Sequence, residues 1–190
     1  MFTSTKIKAM FQKLSLIAAF AMMCLLISST TAFAQNFSPL DKSPADITSF
    51  PKRGSDKIVK VVYSRPQVKG RKVFGGIVKY DKVWRTGANE ATEITFSKDV
   101  KIGGKPVKAG TYTLFTIPTE DTWTVIINSE LNQWGAYQYK KSNDVIRTEV
   151  ISRKSEEIIE SFSITFEKST NGAKMYLGWE KTIVEVSIEF

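Results

Sequence analysis

Apolar and polar residues alternate with a period of two in much of this chain. In the segment Ala91–Ser97, the residues Thr92, Ile94 and Phe96 share one face and the more polar residues share the other. The segment Thr182–Phe190 alternates in the same way. Because successive side chains of a β-strand point to opposite faces, both segments are predicted to be half-buried strands.

Turn signals divide the chain into short segments of this kind. Gly103-Gly104 and Asn171-Gly172 are typical of tight hairpin turns, and no segment shows a sustained helical period. We therefore predict an all-β fold, a single antiparallel β-sandwich of about nine strands over residues 57–190, with a jelly-roll-like arrangement as one option. One short helix or helical loop is predicted near 129–137, where Ser129 is a candidate N-cap.

The other predicted strands are rich in β-branched and aromatic residues. They are Lys57–Tyr63, Val73–Val78, Thr111–Ile117, Thr122–Asn128, Asp144–Ser152, Ile158–Glu167 and Ala173–Trp179. Residues 35–56 contain Pro39, Pro44 and Pro51 and lack periodicity. They are predicted to form an extended N-terminal segment.

Residues 1–34 have the pattern of a secretory signal peptide. Lys6, Lys8 and Lys13 precede an apolar run from Leu14 to Ile27, and Ala32-Phe33-Ala34 matches the small-x-small cleavage motif. The alternative is a membrane anchor, but the run is shorter than the ~20 residues that span a bilayer. We expect a periplasmic or secreted protein with no membrane span after cleavage.

Composition excludes several kinds of chemistry. The chain has no histidine and one cysteine, Cys24, which lies in the predicted leader. This excludes His-based triads, thiol catalysis and His- or Cys-ligated zinc. No phosphate-binding P-loop or calcium-binding loop is present, and we expect no metal and no cofactor.

Positive charge is concentrated in one part of the chain. The formal net charge is +8, and residues 57–108 carry thirteen Lys and Arg against four Asp and Glu. Such asymmetry could attract a small anion. Alternatively, the lysines decorate solvent-facing positions and protect strand edges. They are scattered and not clustered with aromatic residues, so nucleic acid is not an expected partner.

The segment Tyr80–Glu90 is the densest polar stretch. Arg85 could bind a carboxylate or phosphate with both arms of its guanidinium, and Trp84 could stack on a sugar ring or a cation. Asn89 can donate and accept hydrogen bonds, and Glu90 could act as a general base. In the alternative interpretation Trp84 belongs to the core, Arg85 pairs with a nearby glutamate, and Asn89 ties the loop to backbone.

Two further polar stretches could contribute to a site. Arg65 and Arg71, in segment 64–72, could form an anion clamp together with Arg85; the alternative is a solvated connection between strands. In segment 128–139, Trp134 lies among amide side chains, which suits carbohydrate stacking. The alternative there is a loop that packs Trp134 against a sheet edge.

Taken together, these segments resemble an uncharacterised family of secreted bacterial proteins, domain of unknown function 2911. The resemblance covers about Lys57–Phe190 and rests on four runs: Ser64-Arg65-Pro66, Val83–Glu90, Ala109–Tyr112 and Asn132–Gly135. Asp81 stands where the family's tyrosine-glycine-lysine-valine-tryptophan run has glycine. The resemblance implies no particular reaction.

Three hypotheses follow. The first is a non-catalytic extracytoplasmic module that binds a small anion or a glycan through Arg65, Arg71, Trp84, Arg85, Asn89, Glu90 and Trp134. The second is a carboxylate-based hydrolase with Glu90 as base and Arg85 as electrostatic stabiliser. The third is a structural domain of the cell envelope in which these residues serve packing alone. The oligomeric state is not indicated.

Overall fold

A computed structural model describes residues 4–26 and 35–190. The chain divides into two compact units, one ending at Pro39 and the other from Leu40 to Phe190. The first contains helix α1 (Ser4–Leu26). Across residues 4–26 and 35–190, no helix combines the length and apolarity needed to cross a membrane. The predicted cleavage motif at 32–34 lies outside the described residues.

The second unit is an antiparallel sheet of nine strands, which confirms the all-β prediction. The strands are β1 Ala45–Phe50, β2 Val59–Ser64, β3 Glu93–Phe96, β4 Val100–Ile102, β5 Lys105–Val107, β6 Gly110–Pro118, β7 Thr122–Asn128, β8 Asp144–Ser169 and β9 Gly172–Glu189. Their order across the sheet is β1-β2-β3-β6-β7-β8-β9-β4-β5. A 3₁₀ helix, Lys141–Asn143, precedes β8.

The alternating segments bury the faces that their sequence predicts. Ile94 and Phe96 of β3 and Val184 and Val186 of β9 are fully buried, whereas Ser187 on the opposite face is exposed. The predicted hairpin at the glycine pair joins β4 to β5, and the predicted turn before β9 joins it to β8. Local pattern and turn chemistry therefore account for these elements.

Strand β9 folds back within its own length. Lys174 and Glu185 form an ion pair with an Nζ–Oε1 distance of 2.8 Å, and the N–H of Phe190 donates to the carbonyl of Asn171 at 3.0 Å. In a straight strand, Lys174 and Glu185 would be separated by about 36 Å. Glu180, midway between them, has a φ of +55° and marks the turn.

Strand β8 bends beside this turn and changes its partner. Its first part pairs with β7 up to Ile151, and the part from Ser152 onward pairs with β9, with register shifts between Lys154 and Ser163. Such bulges bend a strand and increase its twist. They allow β8 to follow β9, so that one continuous sheet supplies both packed layers of the sandwich.

The chain after β2 closes the sheet onto β8. The N–H of Val68 donates to the carbonyl of Glu160, and the N–H of Phe162 donates to the carbonyl of Pro66. The Tyr63 hydroxyl accepts the N–H of Ile164 at 3.1 Å. These contacts join strands that are not neighbours in the sheet order, and they enclose the core.

Aromatic side chains fill the centre of this core. Trp84 stacks on Trp179 with ring centroids 5.8 Å apart, and Phe74, Trp123 and Phe162 meet these rings edge to face. The indole N–H groups of Trp123 and Trp179 are buried and have no hydrogen-bond acceptor within the described residues.

Several segments differ from their predicted form. The predicted strands 144–152 and 158–167 are one strand, β8, and the predicted strands 173–179 and 182–190 are one strand, β9. Residues 35–56, predicted as an N-terminal extension, contribute β1, whose six residues pair with β2. Residues 129–137 form an irregular loop with a bridge at Trp134 and a turn from Gly135, rather than a helix, and the 3₁₀ helix follows at Lys141. Residues 73–78, predicted as a strand, form turns closed by a single bridge between Phe74 and Val78.

Candidate functional site

Two of the three polar stretches meet on the outer face of the sheet. The N–H of Ala91 donates to the carbonyl of Gln133 at 2.7 Å, and the N–H of Gly135 donates to the carbonyl of Asn89 at 3.1 Å. Glu90 and Trp134 form an isolated β-bridge. The loop surface, as it is called below, consists of the exposed Glu90, Trp134 and Tyr137 and the half-buried Arg85 and Asn89.

Arg85 and Asn89 are held in place by neighbouring groups. The Nη1 of Arg85 donates to the backbone carbonyl of Asn89 at 3.0 Å. The side-chain amide of Asn89 donates to Oδ1 of Asp41 at 3.0 Å. Bonds from the N–H of Ser43 and then from Asn89 lower the pKa of the Asp41 carboxyl. The loop is thus ordered without an ion pair between Arg85 and a glutamate.

Two aromatic rings stand out from the loop surface. The exposed fraction is 62% for Trp134 and 83% for Tyr137. Between them, Gly135 has a φ of +71°, and a Cβ there would lie 2.7 Å from the Tyr137 ring and 3.2 Å from Nη1 of Arg85. Only glycine therefore allows the Tyr137 ring and the Arg85 guanidinium to approach the backbone so closely.

Asn128, a buried residue at the end of β7, closes the base of the loop that carries these rings. Its Oδ1 accepts the N–H of Glu130 at 3.0 Å, and its Nδ2 donates to the carbonyl of Lys140 at 3.1 Å. The same Nδ2 donates to Oδ1 of Asp144 at 2.8 Å. One side chain therefore fixes both ends of the loop, an arrangement called the Asn128 clamp below.

A polar network continues from the Asn128 clamp. The Tyr139 hydroxyl donates to Oδ2 of Asp144 at 2.6 Å. Nη1 of Arg147 donates to the Tyr139 hydroxyl oxygen and to Oδ2 of Asp144, each at 2.8 Å. Burial and the hydrogen bond to Asp144 raise the pKa of Tyr139 to about 12. The Tyr139 ring also packs edge to face on Phe115, with centroids 5.3 Å apart. The loop is anchored by both polar and apolar contacts.

Arg65 lies away from the loop surface and ties β1 and β2 to β8. Its Nε donates to the carbonyl of Phe162 at 3.0 Å, its Nη2 to the hydroxyl of Ser163 at 2.7 Å, and its Nη1 pairs with Asp46 at 3.0 Å. All three nitrogens of the guanidinium are engaged. The structure therefore does not bring Arg65 together with Arg85 in the predicted anion clamp.

Arg71 is exposed and also binds its own segment. Its Nε donates to the carbonyl of Val68 at 3.0 Å and its Nη2 to the carbonyl of Gln67 at 2.6 Å. These bonds shape the turn that follows β2. They do not place Arg71 beside Arg85, and anion binding by Arg71 stays a prediction.

Trp84 is a core residue. It is only 9% exposed, and its Nε1 donates to the carbonyl of Gly87 at 3.1 Å. Backbone bonds to Thr116 in both directions, at 2.7 and 3.0 Å, hold it against β6. Because Trp179 stacks on the indole and Phe74, Trp123 and Phe162 meet it edge to face, Trp84 offers no surface on which a sugar could stack.

The sequence did not single out every residue of this region. Tyr137 is one of three aromatic residues in segment 128–139, and no sequence signal marks it as the most exposed of the three. The pairing of Asp144 with Arg147 has only a weak signal, opposite charges three residues apart at the start of a strand. Asp81, at the position where the resemblance expects glycine, has a φ of +60°, a backbone region that favours glycine and that aspartate tolerates.

Of three comparisons with known proteins, one gives a match. No functionally curated protein and no solved structure shows significant similarity to the chain. A family model does match, over residues 43–188, and its description is protein of unknown function, DUF2911. The match extends from just before β1 to one residue before the end of β9 and includes both loops of the loop surface.

Proposed function

The chain belongs to the DUF2911 family of unknown function, and we propose that it is a non-catalytic extracytoplasmic module that binds a small glycan at the loop surface. One observation carries this proposal. Trp134 and Tyr137 are exposed beside the half-buried Arg85 and the exposed Glu90, and the loop that carries both rings is closed by the Asn128 clamp.

The chemistry of the loop surface suits a sugar. An indole and a phenol ring supply flat apolar faces, which pack on the apolar face of a pyranose. Arg85, Asn89 and Glu90 supply donors and acceptors for hydroxyl groups, and the Arg85 guanidinium could also hold a carboxylate or phosphate substituent of a glycan. Because the loops are already ordered by hydrogen bonds, binding would cost little conformational entropy.

Export is the part of the proposal that rests on sequence alone. The basic residues, apolar run and small-x-small motif of residues 1–34 are the pattern of a secretory leader. The absence of cysteine from residues 35–190 means that the exported domain would be stabilised by its core rather than by disulfides. N-terminal sequencing of the protein recovered from a cell fraction tests this part separately.

A binding experiment tests the loop surface. The protein is applied to an array of neutral and acidic glycans, and affinities for the best glycan are measured by calorimetry. We expect Trp134→Ala and Arg85→Gln each to weaken binding about tenfold or more, because Trp and Arg side chains dominate such contacts. Ile47→Ala and Arg53→Gln serve as matched controls, since both side chains are exposed and lie outside the loop surface.

The outcomes separate the proposal from its competitors. Equal binding by the parent protein, Trp134→Ala and Arg85→Gln would contradict it, as would failure of every glycan to bind. Turnover of the bound glycan that disappears in Glu90→Gln would show that the module is catalytic and that the non-catalytic assignment is wrong.

A further inference from the structure

A groove lies on the outer face of the folded-back strands β8 and β9, and it shares no residue with the loop surface. Its volume is about 310 Å³, which lies within the range of small-molecule sites. Six of its lining residues carry the argument, and they are Arg153, Ile159, Glu167, Tyr176, Gly178 and Ile183. We call this the ribbon groove.

The bend of β8 shapes the floor of the ribbon groove. From Lys154 to Ser163 β8 uses nine residue steps, whereas β9 uses four over the paired stretch from Thr182 to Gly178. Bulges of this kind redirect side chains and are common beside binding sites. Here Ile159 is directed over Gly178, where a Cβ would lie 2.8 Å from the Ile159 Cδ1.

The groove carries one cation and one carboxylate on separate parts of β8. Arg153 is exposed and takes part in none of the ion pairs found among residues 4–26 and 35–190. Glu167 is also exposed. The neighbouring Glu185 is neutralised by Lys174, whose hydrogen bond and charge lower the pKa of that carboxyl. Arg153 also attracts Glu185, and Glu167 also attracts Lys174, at longer range. Arg153 and Glu167 are therefore the two charged lining residues that form no direct ion pair within residues 4–26 and 35–190.

Tyr176 forms a polar wall on the Glu167 side. It pairs with Thr165 across the β8–β9 ladder. Burial, followed by hydrogen bonding to Glu167, raises the pKa of its hydroxyl. The phenol is therefore a neutral donor at neutral pH, and together with Glu167 it can receive an ammonium group. Ile159, Gly178 and Ile183 leave an apolar floor between this wall and Arg153.

From this arrangement we infer that the ribbon groove binds a free amino acid with an apolar side chain. The guanidinium of Arg153 would hold the α-carboxylate with two parallel hydrogen bonds. Glu167, assisted by Tyr176, would accept the α-ammonium, and the side chain would cover Ile159 and Ile183. A zwitterion matches both charges of the groove, whereas a simple anion or a neutral sugar leaves one of them unpaired.

Titration with L-leucine and L-phenylalanine tests the inference. Binding is followed by NMR through the amide of Gly178, which lies at the floor, and by calorimetry. We expect both amino acids to bind at millimolar concentration. Isocaproate, which lacks the ammonium, and isoamylamine, which lacks the carboxylate, should each bind about tenfold more weakly than L-leucine.

Substitutions test whether the lining residues of the ribbon groove bind the amino acid. Arg153→Gln and Glu167→Gln should each weaken L-leucine binding about tenfold or more. Their neighbours Lys154 and Glu156, which do not line the groove, provide the matched controls Lys154→Gln and Glu156→Gln. Gly178→Ala should push the flexible end of Ile159 into the groove and weaken binding while the protein remains folded.

The inference is independent of the proposed function. Trp134→Ala should leave L-leucine binding unchanged, so loss of glycan binding and loss of amino-acid binding are distinguishable. Failure of both amino acids to shift the Gly178 amide in the parent protein would overturn the inference. Equal affinity of Arg153→Gln, Glu167→Gln and the parent would overturn it as well.

Discussion

Trp84 and Trp134 occupy polar loops that look alike in the sequence, yet they lie in opposite environments. Trp84 is 9% exposed and is covered by aromatic rings, whereas Trp134 is 62% exposed. The difference comes from backbone pairing across the chain. Trp84 is bonded to Thr116 of β6 and faces the core, while Trp134 bridges Glu90 on the outer face. Residue type thus predicts what a tryptophan could do, and long-range pairing decides which of its roles is available.

The largest expected effect is a difference in the free energy of unfolding between variants of the two tryptophans. Trp84→Ala should lower the free energy of unfolding by about 3–5 kcal/mol, because it leaves a cavity among packed rings. Trp134→Ala should change it by about 0.5 kcal/mol or less, because the side chain is mostly in water. Urea unfolding followed by circular dichroism measures both. Similar losses in the two variants would contradict the assignment of Trp84 to the core.

The Asn128 clamp should give the next largest effect. Asn128→Ala should lower the free energy of unfolding by about 2–3 kcal/mol, since it leaves the Glu130 N–H and part of the Asp144 carboxylate without partners. It should also weaken glycan binding at the loop surface.

Asn143→Ala is the matched control for the clamp. Asn143 also binds Glu130 but is less buried, and its loss should cost less than about 1 kcal/mol. Hydrogen exchange of the amides in 131–138 reports the loop directly. Unchanged exchange in Asn128→Ala would show that other contacts hold the loop.

The smallest expected effect concerns pH. The pKa of Tyr139 is raised from 10.0 to about 12 in the folded protein. Between these values the unfolded chain ionises first and the folded protein keeps its proton, so this contribution to stability is present below pH 10 and is lost as pH rises toward about 12. The urea midpoint of the parent should fall more steeply over this window than that of Tyr139→Phe. Parallel curves would show that the network does not hold the Tyr139 proton.

The elements that the sequence predicts well are those with local signals. The alternation of β3 and the glycine pair between β4 and β5 need no information from distant residues. In contrast, β1 lies between Pro44 and Pro51, and what makes it a strand is its pairing with β2. The continuity of β8 through Ser155–Ile158 is equally invisible, because bulged residues break the alternation that identifies a strand.

The candidate site was predicted in part for a related reason. Polar composition pointed to the two loops that form the loop surface, and it equally pointed to Arg65, whose partners Asp46 and Ser163 come from β1 and β8. A guanidinium that binds protein and one that faces a ligand have the same sequence signal. No sequence pattern predicts the ribbon groove, because the groove forms where β9 turns at Glu180 and no sequence motif marks that turn.

The Asn128 clamp has a practical consequence for altering recognition. A loop whose two ends are fixed by one buried amide can exchange its tip while the sheet beneath keeps its register. Libraries varied at positions 131–138, with Asn128 and Tyr139 retained, would display new sequences from a rigid stem. The domain would then serve as a scaffold for selecting binders, in the manner of an antibody framework that carries a single grafted loop.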